Sequence, residues 1–301
     1  MGPDATTRRG RAVTEGMAAG IITLSGWLAV AILLGILGVL FANSFDALMR
    51  IGALSFVTDG RWNPDPYSEE AGAYGLAAMV AGTSVVTVGA MVLAVPVGVG
   101  AGAYLAEFAS SWVRELVKPA IELLAAIPSV VVGFLGIVLI GPALGRLLGT
   151  PNPLHAANGA VLLAVMALPT IVSITEDAIS SVPPHQREGS FALGAGRFQT
   201  LLRVLLPNAK SGVVAAVMLG LGRAVGETMT VLMATGNALA FPTGLTSSVR
   251  TLTATIAIEM GEVPRGTVHY SALFVLGLLL FVVTLTVNWI ADAVLARGEG
   301  R

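Results

Sequence analysis

The stretch from Pro183 to Pro207, PPHQREGSFALGAGRFQTLLRVLLP, lies between two strongly apolar segments of the chain. It carries Arg and Glu side chains, which are costly to place in the hydrocarbon core of a bilayer. We therefore expect this stretch, called the polar loop below, to stand outside the membrane and to connect two membrane-spanning helices.

The composition predicts an all-α integral membrane protein. Of the 301 residues, 55% are hydrophobic and only 12% are charged, and several apolar runs reach the roughly 20 residues that a helix needs to cross a bilayer. The absence of Cys excludes disulfides and thiolate metal sites. The net charge of −1 gives no field that would attract nucleic acid, and the three His residues form no metal-ligand motif.

Six membrane-spanning helices are predicted, in a single transmembrane domain of residues 18–301 that follows a cytoplasmic tail of residues 1–17. The first apolar run is too long to be the apolar core of a cleaved signal peptide. The six helices are expected at 18–42, 76–105, 120–145, 157–175, 212–235 and 270–295.

Proline and glycine add detail to these spans. Pro96, Pro128 and Pro169 predict kinks, since proline lacks a backbone donor. Gly98 and Gly102 are four residues apart, a spacing that lets two helix backbones approach closely in lipid. We therefore expect a packed bundle with bent helices.

The distribution of Lys and Arg predicts the orientation. With six spans both termini lie on one side, and that side then carries most of the 17 Lys and Arg residues. Positive residues accumulate on the cytoplasmic side of membrane proteins, so both termini and the polar loop are expected in the cytoplasm. Two long loops, 43–75 and 237–268, would lie outside. Leu252, Ile256 and Met260 predict a short helix in the second of them.

Arg223 and Glu227 are charged residues inside the fifth predicted span. Four residues apart, they would share one face of a helix, and charges at this depth must face protein or water rather than lipid. One interpretation is a buried ion pair that fixes helix packing. The other is the polar lining of a transport path, in which the planar guanidinium of Arg223 offers paired donors to an oxyanion.

Glu122 and Ser129 are weaker candidates in the third predicted span, within the sequence ELLAAIPS. The Glu122 side chain is near enough to the cytoplasmic end of this span to reach the interface. Both residues therefore have two interpretations, as part of the path or as part of the packing.

The polar loop is predicted to form two short helices. Pro183 and Pro184 suit a helix start, Gly194 suits a helix end, and a second helix is expected over 197–206, limited by Pro207. Its apolar side chains are expected on one face: Phe198, Leu201, Leu202 and Leu205. By this pattern the loop is either an interfacial hairpin or a docking element for another protein.

No nucleotide-binding or catalytic motif is present. The phosphate-binding loop would need glycines ahead of Lys210 and Ser211, where the chain has Val204 and Ala209. We therefore expect no enzyme activity, and an ATP-driven role would require ATPase subunits elsewhere.

The polar loop resembles the EAA loop of ABC importer permeases. The matching positions are Glu188, Gly194, Val204, Leu206 and Pro207. Gly189 and Ser190 stand where the family usually has two Ala, which lowers the helix propensity. In that family the loop docks on an ATPase subunit and transmits its closure, so the resemblance implies a coupling role for these residues.

A narrower resemblance covers nearly the whole chain and points to phosphate-specific permeases of the PstC type. It rests on ELLAAIPSV at 122–130, LGRAVGETM at 221–229 and the closing segment 271–288. It implies the type I ABC importer permease fold. It also implies a PstA-like second permease, two PstB-like ATPase subunits that use ATP and magnesium, and a PstS-like phosphate-binding protein. No cofactor is expected on this chain.

Together, the residues and the resemblance predict a permease subunit of the inner (cytoplasmic) membrane that moves inorganic phosphate by alternating access. The alternative within the class is a permease for another oxyanion, such as molybdate or sulfate. The alternatives outside it are a secondary transporter that needs no ATPase and a structural membrane scaffold.

Overall fold

The structure is a computed structural model that describes residues 5–64 and 72–299. Two short antiparallel strands are present, β1 (Trp62–Asn63) and β2 (Ala73–Tyr74). The α-helices are α1 (Ala5–Ile51), α2 (Ala53–Thr58), α3 (Ala77–Glu107), α4 (Ser111–Ala125), α5 (Ser129–Leu135), α6 (Gly141–Leu148), α7 (Ala156–Ser180), α8 (Pro184–Ala192), α9 (Arg197–Thr200), α10 (Leu206–Asn208), α11 (Lys210–Gly226), α12 (Met229–Ala234), α13 (Leu252–Glu259) and α14 (Val268–Glu299). Two π-helical turns, π1 (Gly136–Ile140) and π2 (Leu201–Leu205), join α5 to α6 and α9 to α10.

Five segments of the described residues are long and apolar enough to cross a membrane. They are Met17–Ile51, Ala77–Glu107, Ser129–Leu148, Ala156–Ser180 and Val268–Ala291. A sixth is counted when Arg197–Asn208 and Lys210–Gly226, which meet at 75°, are taken as one span. The predicted all-α membrane class is confirmed, with five or six spans.

The centre of the molecule is the packed pair of α3 and α7, which match the second and fourth predicted spans. A Cβ on Gly98 would lie 2.7 Å from Ile171 Cγ2, and a Cβ on Gly102 would lie 2.8 Å from Thr175 Cβ. Only glycine leaves room for this approach of the two helices. The close packing predicted from the glycine spacing is therefore confirmed for this pair.

The first and last spans, α1 and α14, pack on each other at the side of this centre. None of the most apolar window of α1 is buried, and large apolar side chains such as Trp27 and Leu34 are exposed. Leu40 of α1 packs beside Gly277 of α14. Such an apolar surface suits contact with lipid. The helix continues past the predicted end at residue 42 to Ile51.

The third predicted span, 120–145, is wrong at its start. α4 ends at Ala125, and the apolar span begins only at Ser129. Pro128 stands directly before α5 with an extended ψ of 134°. Proline cannot continue α4, because it has no backbone donor and disfavours a helical conformation in the residue before it. The predicted kink is therefore a complete break, and α4 is a separate amphipathic helix.

A buried amide joins three parts of the bundle near π1. Asn158, in the first turn of α7, donates from Nδ2 to the backbone carbonyls of Gly136 at 3.0 Å, Pro153 at 3.2 Å and Ala234 at 3.2 Å. These carbonyls belong to the third span, to the loop before α7 and to the end of α12. Asn158 is fully buried, so it fixes these segments to one another.

The short helix expected near Leu252 is confirmed as α13, and the sixth predicted span is confirmed as α14. α13 lies inside the molecule, since its residues from Leu252 to Thr255 are all buried. It packs against α14 and against α3.

Candidate functional site

The fifth predicted span, 212–235, is broken at the candidate path residues. α11 ends at Gly226, Glu227 has extended backbone angles (φ −68°, ψ 132°), and α12 begins at Met229. The Thr228 hydroxyl donates to the Gly226 carbonyl at 3.3 Å. Glycine has a low helix propensity, and a threonine hydroxyl competes for backbone groups. The predicted continuous helix across Arg223 and Glu227 is therefore wrong.

The break separates the two charges. Within the described residues, the Arg223 guanidinium forms no ion pair with Glu227 and no hydrogen bond to another group. Arg223 is half-buried in the last turn of α11, where the helix carbonyls favour a cation. The interpretation of these residues as a buried ion pair is therefore wrong in this conformation, and the guanidinium donors stay available for a ligand.

Glu227 is held by two different elements. Its Oε1 accepts from the backbone N–H of Thr230 at 3.2 Å, in the first turn of α12. Its backbone carbonyl accepts from the Thr253 hydroxyl at 2.9 Å, on α13. The carboxylate is half-buried, so its position is set by α12 and α13 rather than by α11.

Ser129 is brought to this region, whereas Glu122 is not. The Thr230 hydroxyl donates to the Ser129 carbonyl at 3.1 Å, so the start of α5 rests on the start of α12. Glu122 is exposed on α4, ahead of the break at Pro128. Its predicted place near the cytoplasmic end of the third span is wrong, because that span begins after it.

The polar loop forms the two predicted helices. α8 begins at Pro184 and ends ahead of Gly194, whose φ of +82° suits glycine. The second helical stretch runs from Arg197 to Asn208 through π2. Pro207 therefore does not end it, since proline is tolerated in the first turn of α10.

The apolar residues of that stretch divide into two groups. Leu201 and Leu205 are buried, whereas Phe198 is 65% exposed and Leu202 is 49% exposed. The single apolar face predicted for them is wrong, because residues 198 and 202 lie on a row of the helix beside the row of 201 and 205. The outward row leaves apolar side chains uncovered on the polar loop.

The remaining candidate residues of the polar loop lie on or beside its surface. Glu188, Gly189, Gly194 and Pro207 are exposed, and Leu206 is half-buried. The Ser190 and Thr200 hydroxyls are 2.9 Å apart and join the two helices. Between the helices lies a groove of about 600 Å³, lined in part by Gln186, Leu193 and Arg203.

Ion pairs connect the polar loop and α4 to the central pair of helices. Arg187 Nε lies 3.0 Å from Glu107 Oε2 at the end of α3, at an angle that makes an ion pair but not a hydrogen bond. Lys118 Nζ lies 2.5 Å from Glu176 Oε2 and 3.0 Å from Asp177 Oδ1. The hydrogen bonds to Glu176 and Asp177 raise the pKa of Lys118 above its usual 10.5.

A second ionic cluster, the Glu259 cluster, lies at the opposite end of α3. Glu259 Oε1 is 2.9 Å from Arg250 Nη1, and Glu259 Oε2 is 2.9 Å from His269 Nε2. The Trp62 indole N–H donates to the same carboxylate at 3.0 Å. One carboxylate therefore joins β1, the loop before α13, α13 itself and the start of α14.

Three buried carboxylates are not among the residues that the sequence patterns single out. Glu107 and Glu259 are the last residues of apolar helices, and Glu176 lies four residues before the end of α7. A carboxylate at such a position needs a cation or donor when it is buried. That signal would have marked them. Their partners are remote in sequence, as with Lys118 and Glu176, which are 58 residues apart.

Comparison with known proteins gives a family match and near full-length relatives. Residues 98–298 match the model of the family described as "binding-protein-dependent transport system inner membrane component". The probable ABC transporter permease protein YqgH of Bacillus subtilis is 35% identical over 276 residues, covering 92% of this chain and 86% of that protein. The phosphate transport system permease protein PstC of Mesorhizobium japonicum is 35% identical over 317 residues, covering 99% and 94%.

A solved structure is similar in fold. It is an inward-facing conformation of the MetNI methionine ABC transporter, with a TM-score of 0.56 and 22% sequence identity. The alignment covers 74% of this chain and 94% of that one. At this identity the likeness concerns the fold alone.

Proposed function

This chain belongs to the family of binding-protein-dependent transport system inner membrane components and has the type I ABC importer permease fold, and we propose that it carries inorganic phosphate across the cytoplasmic membrane. Its relatives are transport permeases, including PstC proteins of phosphate transport systems. In this proposal the chain has no enzymatic activity of its own.

The observation that carries the proposal is the partnerless guanidinium of Arg223 beside the break in the fifth span. An arginine in a membrane protein is costly unless it faces protein, water or a counter-charge. Within the described residues Arg223 has no hydrogen bond or ion pair, while its planar group matches two oxygens of a phosphate. Phosphate would complete this site, with Arg223 as its main ligand.

Glu227 has a complementary role in the proposal. Its carboxylate is held by the Thr230 N–H and remains close to Arg223 in sequence. A phosphate that carries a proton has an O–H donor, which a carboxylate accepts. Glu227 would then select the protonated anion and repel a fully ionised one. Ser129 would act in packing rather than in the path, and Glu122, exposed on α4, would lie outside the path.

The polar loop would couple transport to ATP. Leu193, 91% exposed, and Phe198, 65% exposed, stand on the loop beside the groove between its helices. Exposed apolar side chains on a polar projection fit a protein interface. We propose that Glu188, Gly189, Ser190, Gly194, Leu206 and Pro207 belong to the surface or frame of a site for a PstB-like ATPase subunit. That subunit would bind ATP and magnesium.

The complete importer would contain this chain, a PstA-like permease, two PstB-like ATPase subunits and a PstS-like binding protein. Both termini and the polar loop would face the cytoplasm, as the Lys and Arg distribution favours. ATP binding would draw the polar loops together and open the bundle outward, and relaxation after hydrolysis would release phosphate inward past Arg223.

The experiment is uptake of radiolabelled phosphate by the importer reconstituted with these partners in vesicles. Arg223→Lys keeps the charge but loses the paired donors, so we expect uptake to fall about 10- to 100-fold, the scale of one or two hydrogen bonds to a charged group. Arg146→Lys, at an exposed position of α6, is the control for a change of arginine to lysine. Normal uptake by the Arg223→Lys importer would contradict the role of Arg223.

Two further arms separate the alternatives. Competition by molybdate or sulfate at concentrations equal to phosphate would indicate a permease for another oxyanion. Uptake that persists without the ATPase subunits and follows a proton gradient would indicate a secondary transporter. We expect phosphate uptake that resists both anions and requires ATP.

A further inference from the structure

α13 reaches the break in the fifth span through one hydroxyl. The Thr253 Oγ1 lies 2.9 Å from the Glu227 carbonyl, and Thr253 is 8% exposed. The Glu227 carbonyl is free because α11 has ended one residue earlier. A carbonyl that faces the buried Thr253 side chain would be costly to leave unsatisfied, so this hydrogen bond holds the break in its observed shape.

The direction of the hydrogen bonds here follows from counting protons. The Thr253 hydroxyl has one proton, which it donates in the hydrogen bond to the Glu227 carbonyl. In the contact between the Thr251 and Thr253 hydroxyls, 3.1 Å apart, Thr253 is therefore the acceptor and Thr251 the donor. Thr251 in turn accepts the N–H of Ala254 at 3.2 Å as the N-cap of α13. The result is a series of hydrogen bonds that all point from the first turn of α13 towards Glu227, in which each bond polarises the next.

The start of α13, from which these hydrogen bonds run, is held in place by α3. The backbone N–H of Leu252 donates to the Thr83 hydroxyl at 3.0 Å. A Cβ on Gly82 would lie 2.6 Å from the Arg250 carbonyl oxygen, so only glycine lets the segment before α13 approach this close. At its other end α13 is fixed by the Glu259 cluster. The helix is therefore anchored at both ends before it touches Glu227.

We propose that Thr253 is a positioning residue for transport, which sets the place of the Glu227 carboxylate through the backbone of the break. The inference rests on the proposed function for its effect on phosphate, whereas its effect on the break is independent of the substrate. α13 thereby connects Glu227, the residue proposed to recognise the protonated anion, to the outer end of the bundle.

The variants are Thr253→Val, which removes the hydroxyl at nearly constant volume, and Thr253→Ser, which keeps it. The matched control is Thr255→Val, because Thr255 is also buried on the same helix, and its hydroxyl bonds Met79 Sδ and the Thr251 carbonyl instead of Glu227. The assembled importer is used throughout. If the hydroxyl mattered only for packing on α13, Thr253→Val and Thr255→Val would change the labelling rate and the transport rate to the same extent.

The first readout is the exposure of the break. The chain has no Cys, so Met229→Cys, at a half-exposed position in the first turn of α12, gives a single site for a water-soluble maleimide. We expect its labelling rate to rise about fivefold with Thr253→Val, and to be unchanged with Thr253→Ser or Thr255→Val. Equal rates with Thr253→Val and Thr255→Val would overturn the proposal, whether or not the importer carries phosphate.

The second readout is phosphate turnover in a double-mutant cycle with Glu227→Gln. Thr253→Val alone should lower turnover about fivefold, the scale of one hydrogen bond, and should add no further loss in the Glu227→Gln background. Independent, multiplying losses would show that Thr253 does not act through Glu227 and would overturn the proposal. A wild-type importer without phosphate uptake would refute the proposed function, while the labelling readout would still decide this inference.

Discussion

The central pair α3–α7 and the third and fifth spans are built from similarly apolar sequence, yet only the pair is continuous. Pro96 lies inside α3 and Pro169 lies inside α7 without ending either helix. The third span instead passes through π1 at Gly136, and the fifth span ends at Gly226 before resuming. A proline inside a span therefore does not by itself interrupt it, although Pro128 separates α4 from the third span.

The interrupted spans differ from the continuous pair in that side chains donate hydrogen bonds to their backbone carbonyls at the interruption. At Gly136 the carbonyl accepts from the Asn158 amide, and at Glu227 it accepts from the Thr253 hydroxyl. Both donors come from other elements. The Thr253 hydroxyl takes the place of a helix hydrogen bond at the break, whereas the Asn158 amide adds to the Gly141 N–H that the Gly136 carbonyl already accepts within π1. Non-helical backbone in a membrane is tolerated where protein satisfies it, and such interruptions often stand at functional sites.

The largest effect on this comparison of continuous and interrupted helices is expected when a large side chain is placed between α3 and α7. In Gly102→Leu the new side chain would meet the Val172 carbonyl and Thr175 of α7, so we expect a loss of about 3 kcal/mol or more in the free energy of unfolding. The measurement is thermal unfolding in detergent together with the amount of folded protein in the membrane.

The matched control is Gly100→Leu on the same helix, where a Cβ would meet no atom within 4 Å. Its unfolding midpoint should stay near that of the wild type. If both leucine variants were equally stable, the central pair would not depend on close approach.

The interrupted third span should be more sensitive to a lost donor than to added volume. Asn158→Leu removes the donor that the Pro153 and Ala234 carbonyls share with the Gly136 carbonyl, which keeps its bond from the Gly141 N–H. Leaving a buried acceptor unpaired costs about 1–3 kcal/mol. Chemical unfolding in detergent measures the loss. Thr175→Val is the control on the same helix, since the Thr175 hydroxyl is buried without a hydrogen-bond partner in the described part of the chain.

A stabilised or neutral Asn158→Leu variant would contradict the role of the amide in holding π1. The Thr175→Val variant should be neutral or slightly more stable, because it removes a buried polar group that had no partner.

The smallest effect is expected from His155, at the start of α7. Burial lowers the pKa of His155 below its usual 6.5, and its Nδ1 accepts the Asn158 N–H. The unfolded chain therefore binds the proton more readily. Stability from this residue is complete above pH 6.5 and falls as the pH drops below it, by at most about 1.4 kcal/mol per pH unit.

The measurement is the unfolding midpoint between about pH 7.5 and 5.5, which brackets the ordinary histidine pKa of about 6.5. His155→Asn keeps a helix-capping side chain without a titrating ring, so its midpoint should depend less on pH. His185→Asn, at an exposed position of the polar loop, should keep the wild-type dependence. Equal pH dependence in wild type and His155→Asn would contradict the assignment.

The sequence predicted what local patterns control. Apolar runs gave the spans, the Gly98 and Gly102 spacing gave the packed pair, and Pro184 and Gly194 gave the ends of α8. The breaks were not predicted, because they depend on donors such as Asn158 and Thr253 that come from other parts of the chain. Arg223 was identified as a candidate by its charge in an apolar segment, but its lack of a partner follows from the break at Gly226.

The Glu259 cluster also has a consequence for the order of assembly during synthesis. Trp62 leaves the ribosome 197 residues before Glu259, which at about 5–20 residues per second is an interval of about 10–40 s. Throughout that time its indole N–H lacks its final acceptor. The first span must likewise wait for α14, against which it packs. The nascent chain therefore completes the Glu259 cluster only after both helices of the central pair, α3 and α7, have been synthesised.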